Sequence, residues 1–184
     1  MITNWERLAK QLGSLLDDGS EVGGSDFAQQ TFDEILGDEW IEDAVEHIVS
    51  NKRGGELAMN CLRLIHSTKA TTYAYRVYKT SNGVRAAQAV WLIKQLANPI
   101  SLDWVEEFLD DKNAINWGVG VLDQLLWCEQ IKYDNRVKSL LELADKNSNG
   151  ELREYTDFIR QFMDERNSAE EYPCSDKDFP CSDY

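Results

Sequence analysis

Gly83-Val84-Arg85-Ala86-Ala87-Gln88-Ala89-Val90-Trp91-Leu92-Ile93-Lys94-Gln95-Leu96 puts Val84, Ala86, Ala87, Val90, Ile93 and Leu96 on the inward side of a helix, and Asn98-Pro99 then breaks it. The spacing Ala86–Val90–Ile93, a small residue followed by apolar ones four and then three places on, returns three times. The other copies are Ala28–Phe32–Ile35, Ala58–Leu62–Ile65 and Gly118–Leu122–Leu125, and successive copies start 30, 28 and 32 positions apart. Each interval is long enough for a helix pair, so the recurrence predicts an all-α chain built as a helical solenoid. One such unit cannot bury its apolar stripe alone; stacking buries it and leaves an extended surface suited to holding another macromolecule.

Around these copies the chain divides readily. An opening helix, about Asn4–Leu16, carries Trp5, Leu8, Leu12, Leu15 and Leu16 on one face and reads as a cap. It ends at Asp17-Asp18-Gly19-Ser20, Gly23-Gly24 prevents continuation, and Ser25 or Asp26 can cap the next helix. Repeat one spans 25–50, with Phe27, Ala28, Phe32, Ile35 and Leu36 and then Ile41, Ala44, Val45, Ile48 and Val49 inward. Repeat two has Leu57, Ala58, Cys61, Leu62 and Ile65 inward, followed by a poorer helix through Thr71–Tyr78, where Thr71, Thr72 and Tyr73 lower helix preference. The partner helix of repeat three runs from a Ser101 cap to Asp111 on Leu102, Val105, Phe108 and Leu109. Repeat four uses Trp117, Gly118, Val121, Leu122, Leu125 and Leu126, then Arg136–Ala144. A closing helix, about Glu151–Glu165, offers Leu152, Tyr155, Phe158, Ile159 and Phe162 to the open end. One domain over 1–165 is expected, and the acidic, Pro-containing stretch 166–184 reads as a disordered tail.

The stretch 83–93, followed by a Pro-containing turn and Trp104-Val105-Glu106-Glu107-Phe108-Leu109-Asp110-Asp111, resembles a HEAT repeat. That family often opens a repeat with D-x-x-V-R-x-x-A. Val84-Arg85 keeps the Val-Arg pair in repeat three, Asn82 or Asn113 stands near the place of the acid, and Asn116-Trp117 replaces the pair in repeat four. The resemblance covers about 25–145 and implies a right-handed α-solenoid of about four HEAT-like helix pairs with N- and C-terminal capping helices.

Net charge is −14, distributed unevenly: 12 acids against 2 bases over 1–50, 1 against 8 over 51–100, 13 against 7 over 101–163, and 7 against 2 over 164–184. So acidic a chain disfavours nucleic acid, whose binding rests on neutralising phosphates with Lys and Arg, and favours a cationic partner. No apolar run is long enough to span a membrane, and Met1-Ile2-Thr3-Asn4-Trp5-Glu6-Arg7 lacks the basic start and apolar centre of a secretory signal, so a cytoplasmic chain is expected.

Catalytic signatures are missing. His47 and His66 lie late in expected helices without a nucleophile beside them, and Gly118-Val119-Gly120 falls inside a helix, where small residues let helices approach closely. No enzyme activity, cofactor or metal is therefore expected. Asp145-Lys146-Asn147-Ser148-Asn149-Gly150-Glu151-Leu152 resembles the start of an EF-hand loop, yet Thr156 stands at the twelfth position in place of a bidentate Glu; a weak calcium loop and a plain turn both fit. Cys61 and Cys128 are expected reduced and buried. Cys174 and Cys181, in the duplicated Pro-Cys-Ser-Asp tail, are open to a disulfide, a metal pair or free thiols.

With Ile41, Val45 and Ile48 inward, Glu42, Asp43 and Glu46 face away from the core; with Val105, Phe108 and Leu109 inward, so do Glu106, Glu107 and Asp110. In HEAT-like stacks second helices commonly line the concave side. The resemblance thus implies a carboxylate stripe there, interrupted by the basic, Tyr-rich second repeat that includes Tyr75. Glu42, Asp43, Glu46, Tyr75, Glu106, Glu107 and Asp110 are the expected partner-binding residues. A compact acidic solenoid without catalytic residues is similar to helical-repeat immunity proteins of bacterial toxin systems, which implies neutralisation of a basic, nuclease-type toxin by direct binding. A HEAT-type scaffold or regulatory adaptor is the alternative, and a repeat-type enzyme is a third reading: the acidic charge opposes a DNA-binding glycosylase, and absence of bilin or other cofactor absorbance after co-expression would dispose of a lyase.

Overall fold

The computed structural model describes residues 4–148 and 150–171. They form α1 (Trp5–Leu12), α2 (Ser25–Leu36), α3 (Asp38–Val49), α4 (Gly55–Leu64), α5 (Thr68–Thr80), α6 (Gly83–Leu96), a 3-10 helix (Pro99–Trp104) that runs into α7 (Val105–Asp110), α8 (Ile115–Trp127), α9 (Asn135–Asn147) and α10 (Gly150–Glu171). Among the described residues there is no strand beyond one isolated bridge, Leu15 to Glu21, so the chain is all-α. No described helix is long and apolar enough to cross a membrane.

Local chemistry explains most boundaries. Asn4, Ser67 and Asp134 each accept a backbone N–H at the start of α1, α5 and α9, and Asn98 does so ahead of the 3-10 helix, where Pro99 loses nothing by lacking a donor. The expected Ser101 cap is displaced: Ser101 lies buried within the 3-10 turn, its hydroxyl donating to the Asn98 carbonyl, and α7 starts at Val105. Helix α5 is longer and firmer than its propensities predict. The Thr71, Thr72 and Thr80 hydroxyls each donate to the carbonyl four residues back, and Ala70, Thr71, Ala74 and Val77 are buried, so packing overrides the weak local preference.

The helices alternate between two layers, α3, α5, α7 and α9 against α4, α6, α8 and α10. Each even helix packs on the odd helix before it, and next-but-one helices touch within a layer (α3 on α5, α7 on α9, α4 on α6, α6 on α8, α8 on α10). This stacking is compatible with a helical solenoid. The most extensive helix–helix contact, α5 on α6, crosses the repeat boundary expected from sequence, because only Ser81 and Asn82 separate those helices. Between the layers lie Ile41, Val45, Leu62, Val90, Ile93, Phe108, Leu122, Leu125 and Leu141, all fully buried.

Three of the four repeated stripes enter this core: Leu62 and Ile65 on and just after α4, Ala86, Val90 and Ile93 on α6, and Gly118, Leu122 and Leu125 on α8. The first does not. Ala28, Phe32 and Ile35 are exposed, and Asp33 is the buried residue of α2, because α2 packs on α1, α3 and α5 and turns its polar side inward. Helix α1 buries no residue and Trp5 is exposed, so the opening cap is a loose one. Leu57, Cys61, Val84 and Phe158 are likewise exposed where burial was expected; on α4 the buried residues are Met59 and Leu62. Cys128 is half-buried. Helix α10 runs to Glu171, six residues past the end expected for the closing helix at Glu165; 172–184, with Cys174 and Cys181, lie outside the described residues.

Candidate functional site

Helices α3, α5 and α7 carry the seven residues expected to bind a partner, and the structure divides them. Glu42 lies 3.6 Å from Arg76, and Glu46 lies 2.5 Å from Arg85 while accepting from the Tyr73 hydroxyl at 3.2 Å. Glu107 meets Lys79 at 2.7 Å and accepts from the Tyr75 hydroxyl at 2.8 Å. Asp110 accepts from the Asn147 amide at 2.8 Å. Asp43 and Glu106 are exposed and take neither a hydrogen bond nor an ion pair among the described residues. Tyr75 and Glu107 are thus brought together, whereas the acids of α3 and of α7 are kept apart by α5, whose bases reach both. The expected carboxylate stripe is instead divided: Glu42, Glu46 and Glu107 are paired with bases of α5 and α6, Asp110 meets only a neutral amide, and Asp43 and Glu106 have no polar partner among the described residues.

These bridges are exposed enough that each contributes about 0–1 kcal/mol, so they order the face without holding the fold. An aromatic group sets the centre. Tyr75 stacks on Trp104 with ring centroids 4.1 Å apart and planes 6° from parallel, and Tyr78 meets Phe108 edge-on at 5.0 Å. Lys79 Nζ lies 5.9 Å from the Tyr75 ring centroid and the Arg76 guanidinium 4.9 Å from that of Tyr73, both within cation–π reach. Sequence reasoning missed Trp104. Its signal was its position, 29 residues after Tyr75, about one repeat on.

Burial pushes the Tyr78 phenol up to about 12, with the Asp111 and Glu107 carboxylates adding to the effect. Burial also raises Tyr75. The Lys79 ammonium, and then the Tyr75 hydroxyl, hold the Glu107 carboxyl below its ordinary value of 4.5. A carboxyl lowered on folding stabilises the protein above its unfolded pKa and loses that contribution as pH falls through the folded value. Glu107→Gln is accordingly expected to trail the parent by less than about 1 kcal/mol at pH 7 and to converge with it as pH drops below the ordinary glutamate range, measured by urea unfolding across pH. A gap that widened in acid would contradict this assignment.

Elsewhere, His47 and the acids of the EF-like segment are held by structural partners. His47 Nε2 lies 2.8 Å from the Arg53 carbonyl oxygen. In the EF-like segment the Thr156 hydroxyl donates to Asp145 Oδ1, Arg160 pairs with Asp145 Oδ2 at 2.5 Å, and Asn147 turns to Leu109 and Asp110. The first and third loop positions are therefore engaged by protein groups; the fifth, Asn149, lies outside the described residues. Among the described residues no group of three His, Cys, Asp or Glu side chains is placed to hold a metal ion. Comparison of the chain with models of known families, with curated proteins and with solved structures finds no match.

Proposed function

We propose that the chain is a non-catalytic, HEAT-like protein-binding module, specifically an immunity-type protein that neutralises a cationic, nuclease-type toxin domain by occluding it. The observation that carries this reading is the face on α3, α5 and α7. Two exposed carboxylates without a polar partner among the described residues, Asp43 and Glu106, accompany a Tyr75–Trp104 stack on a surface where Glu42, Glu46 and Glu107 are paired with bases. Half-buried aromatics bordered by charge are the usual anchors of protein interfaces. The −14 net charge accelerates encounter with a basic partner and penalises acidic ones. Capture from the native host tests the reading, comparing the parent with Asp43→Lys/Glu106→Lys at low and high salt. The parent is expected to retain a basic protein, with affinity at least about tenfold lower in the double variant and association slowed by salt. A partner without net positive charge, or capture indifferent to both charge reversal and salt, would refute it.

The adaptor reading is favoured by one observation, the exposed stripe Leu57, Cys61 and Leu64 on α4 in the other layer, which offers a second docking surface. A toxin gene beside this one distinguishes the first reading from the second.

A further inference from the structure

Away from that face, α2 lies over the turn between α4 and α5, the turn before the 3-10 helix and the turn between α8 and α9, and the space between them is a polar cleft of about 440 Å³. Its walls include Asp26, Gln29 and Asp33 from α2, Thr68 at the start of α5, and His66 and Gln130 from the turns. The lining carries two carboxylates and no Lys or Arg. Asp33 is only 6% exposed, and its Oδ1 has no hydrogen-bond donor among the described residues. The other oxygen accepts a long bond, 3.4 Å, from the Lys69 backbone N–H at the start of α5.

Two nearby donors, Lys69 and Asn98, are committed elsewhere, and the cleft-lining side chains of Gln29, Gln30 and His66 make no hydrogen bond to Oδ1. The Lys69 ammonium is held by Glu34 at 2.8 Å and Asp38 at 3.0 Å, and the Asn98 amide donates to the His66 carbonyl and the Thr68 hydroxyl. A buried carboxylate oxygen without a donor is costly, and the chain supplies none. The missing complement is a positive group bearing N–H donors, small enough for a cleft of side-chain size.

We infer that the α2 cleft is a binding site for an organic cation with N–H donors, an ammonium or guanidinium, with Asp33 as its buried counter-charge. The site stands apart from the α3–α5–α7 face and does not depend on the function proposed for it. Such a group reaches the cleft either as a free small amine or as a Lys or Arg side chain of another protein; the chemistry is shared and the probes separate the two.

Amide NMR titration of the full chain with n-butylammonium, n-butylguanidinium, the neutral isostere n-butylurea, and a capped Gly-Arg-Gly peptide tests the assignment. Saturable shifts at the Asp33, Lys69 and Gln130 amides are expected from both cations at millimolar affinity or tighter, and not from the urea. If the peptide binds more tightly than n-butylguanidinium the source is a protein side chain; if more weakly, a free amine. Asp33→Asn is expected to weaken binding at least about tenfold, the loss of one charge-assisted contact. Should that variant unfold, Gln130→Lys, which carries its own ammonium into the cleft and leaves α2 untouched, is expected to abolish cation binding. Binding of the urea as tight as that of the cations, unchanged affinity in Asp33→Asn or Gln130→Lys, or no saturable shift from any probe would overturn the inference.

Discussion

Replacing Phe108 with alanine is expected to cost about 3–5 kcal/mol of folding stability, the range for removing a fully buried aromatic ring. Phe108 is 0% exposed and sits on α7 where that helix meets α8. One of its neighbours is the bare backbone of Gly118, which has no side chain to swing into the space left behind. The ring is also the edge-on partner of Tyr78 and, at 6.2 Å, of Tyr75. Loss of stability should therefore come with loss of near-ultraviolet dichroism from the face. Phe158→Ala is the control: at 60% exposure it should stay within about 0.5 kcal/mol of the parent. A Phe108→Ala loss below about 1 kcal/mol in urea unfolding would mean that the two layers do not close on this ring.

The all-α character and the stripes of α6 and α8 were legible because a 3.6-residue period with small residues at fixed offsets admits few alternatives. The stripe of α2 has the same period and yet is exposed. Nothing within Ser25–Leu36 reports whether a neighbour will lie against Ala28, Phe32 and Ile35; that depends on where the stack ends. Helix α5 erred in the opposite direction, since its threonines are poor in isolation and satisfied once their hydroxyls bond back to the helix and Ala70 and Ala74 are covered.

The candidate face was half legible. Segment charges revealed acids on α3 and α7 and bases on 51–100, but a one-dimensional tally cannot show that Arg76, Arg85 and Lys79 reach Glu42, Glu46 and Glu107. Asp33 was invisible for a related reason. In sequence it is one acid among twelve in 1–50, and its distinction is wholly tertiary: burial against the start of α5 with one oxygen unserved.

Helices of the two layers stack at backbone distance, and two glycines on α8 test that directly. A methyl group on Gly118 would lie 2.9 Å from Phe108 Cβ and 3.3 Å from its carbonyl carbon, atoms that cannot move without moving α7. One on Gly120 would meet the Lys94 side chain at 3.1 Å, and that flexible chain can yield. Helix propensity alone favours Ala over Gly by about 1 kcal/mol at both positions. Overpacking costs about 1–3 kcal/mol where the neighbour cannot give. Side-by-side urea unfolding of Gly118→Ala and Gly120→Ala is therefore expected to give opposite signs, the first losing up to about 2 kcal/mol and the second gaining up to about 1. Equal stabilisation of both, as free helices would show, would contradict the stack.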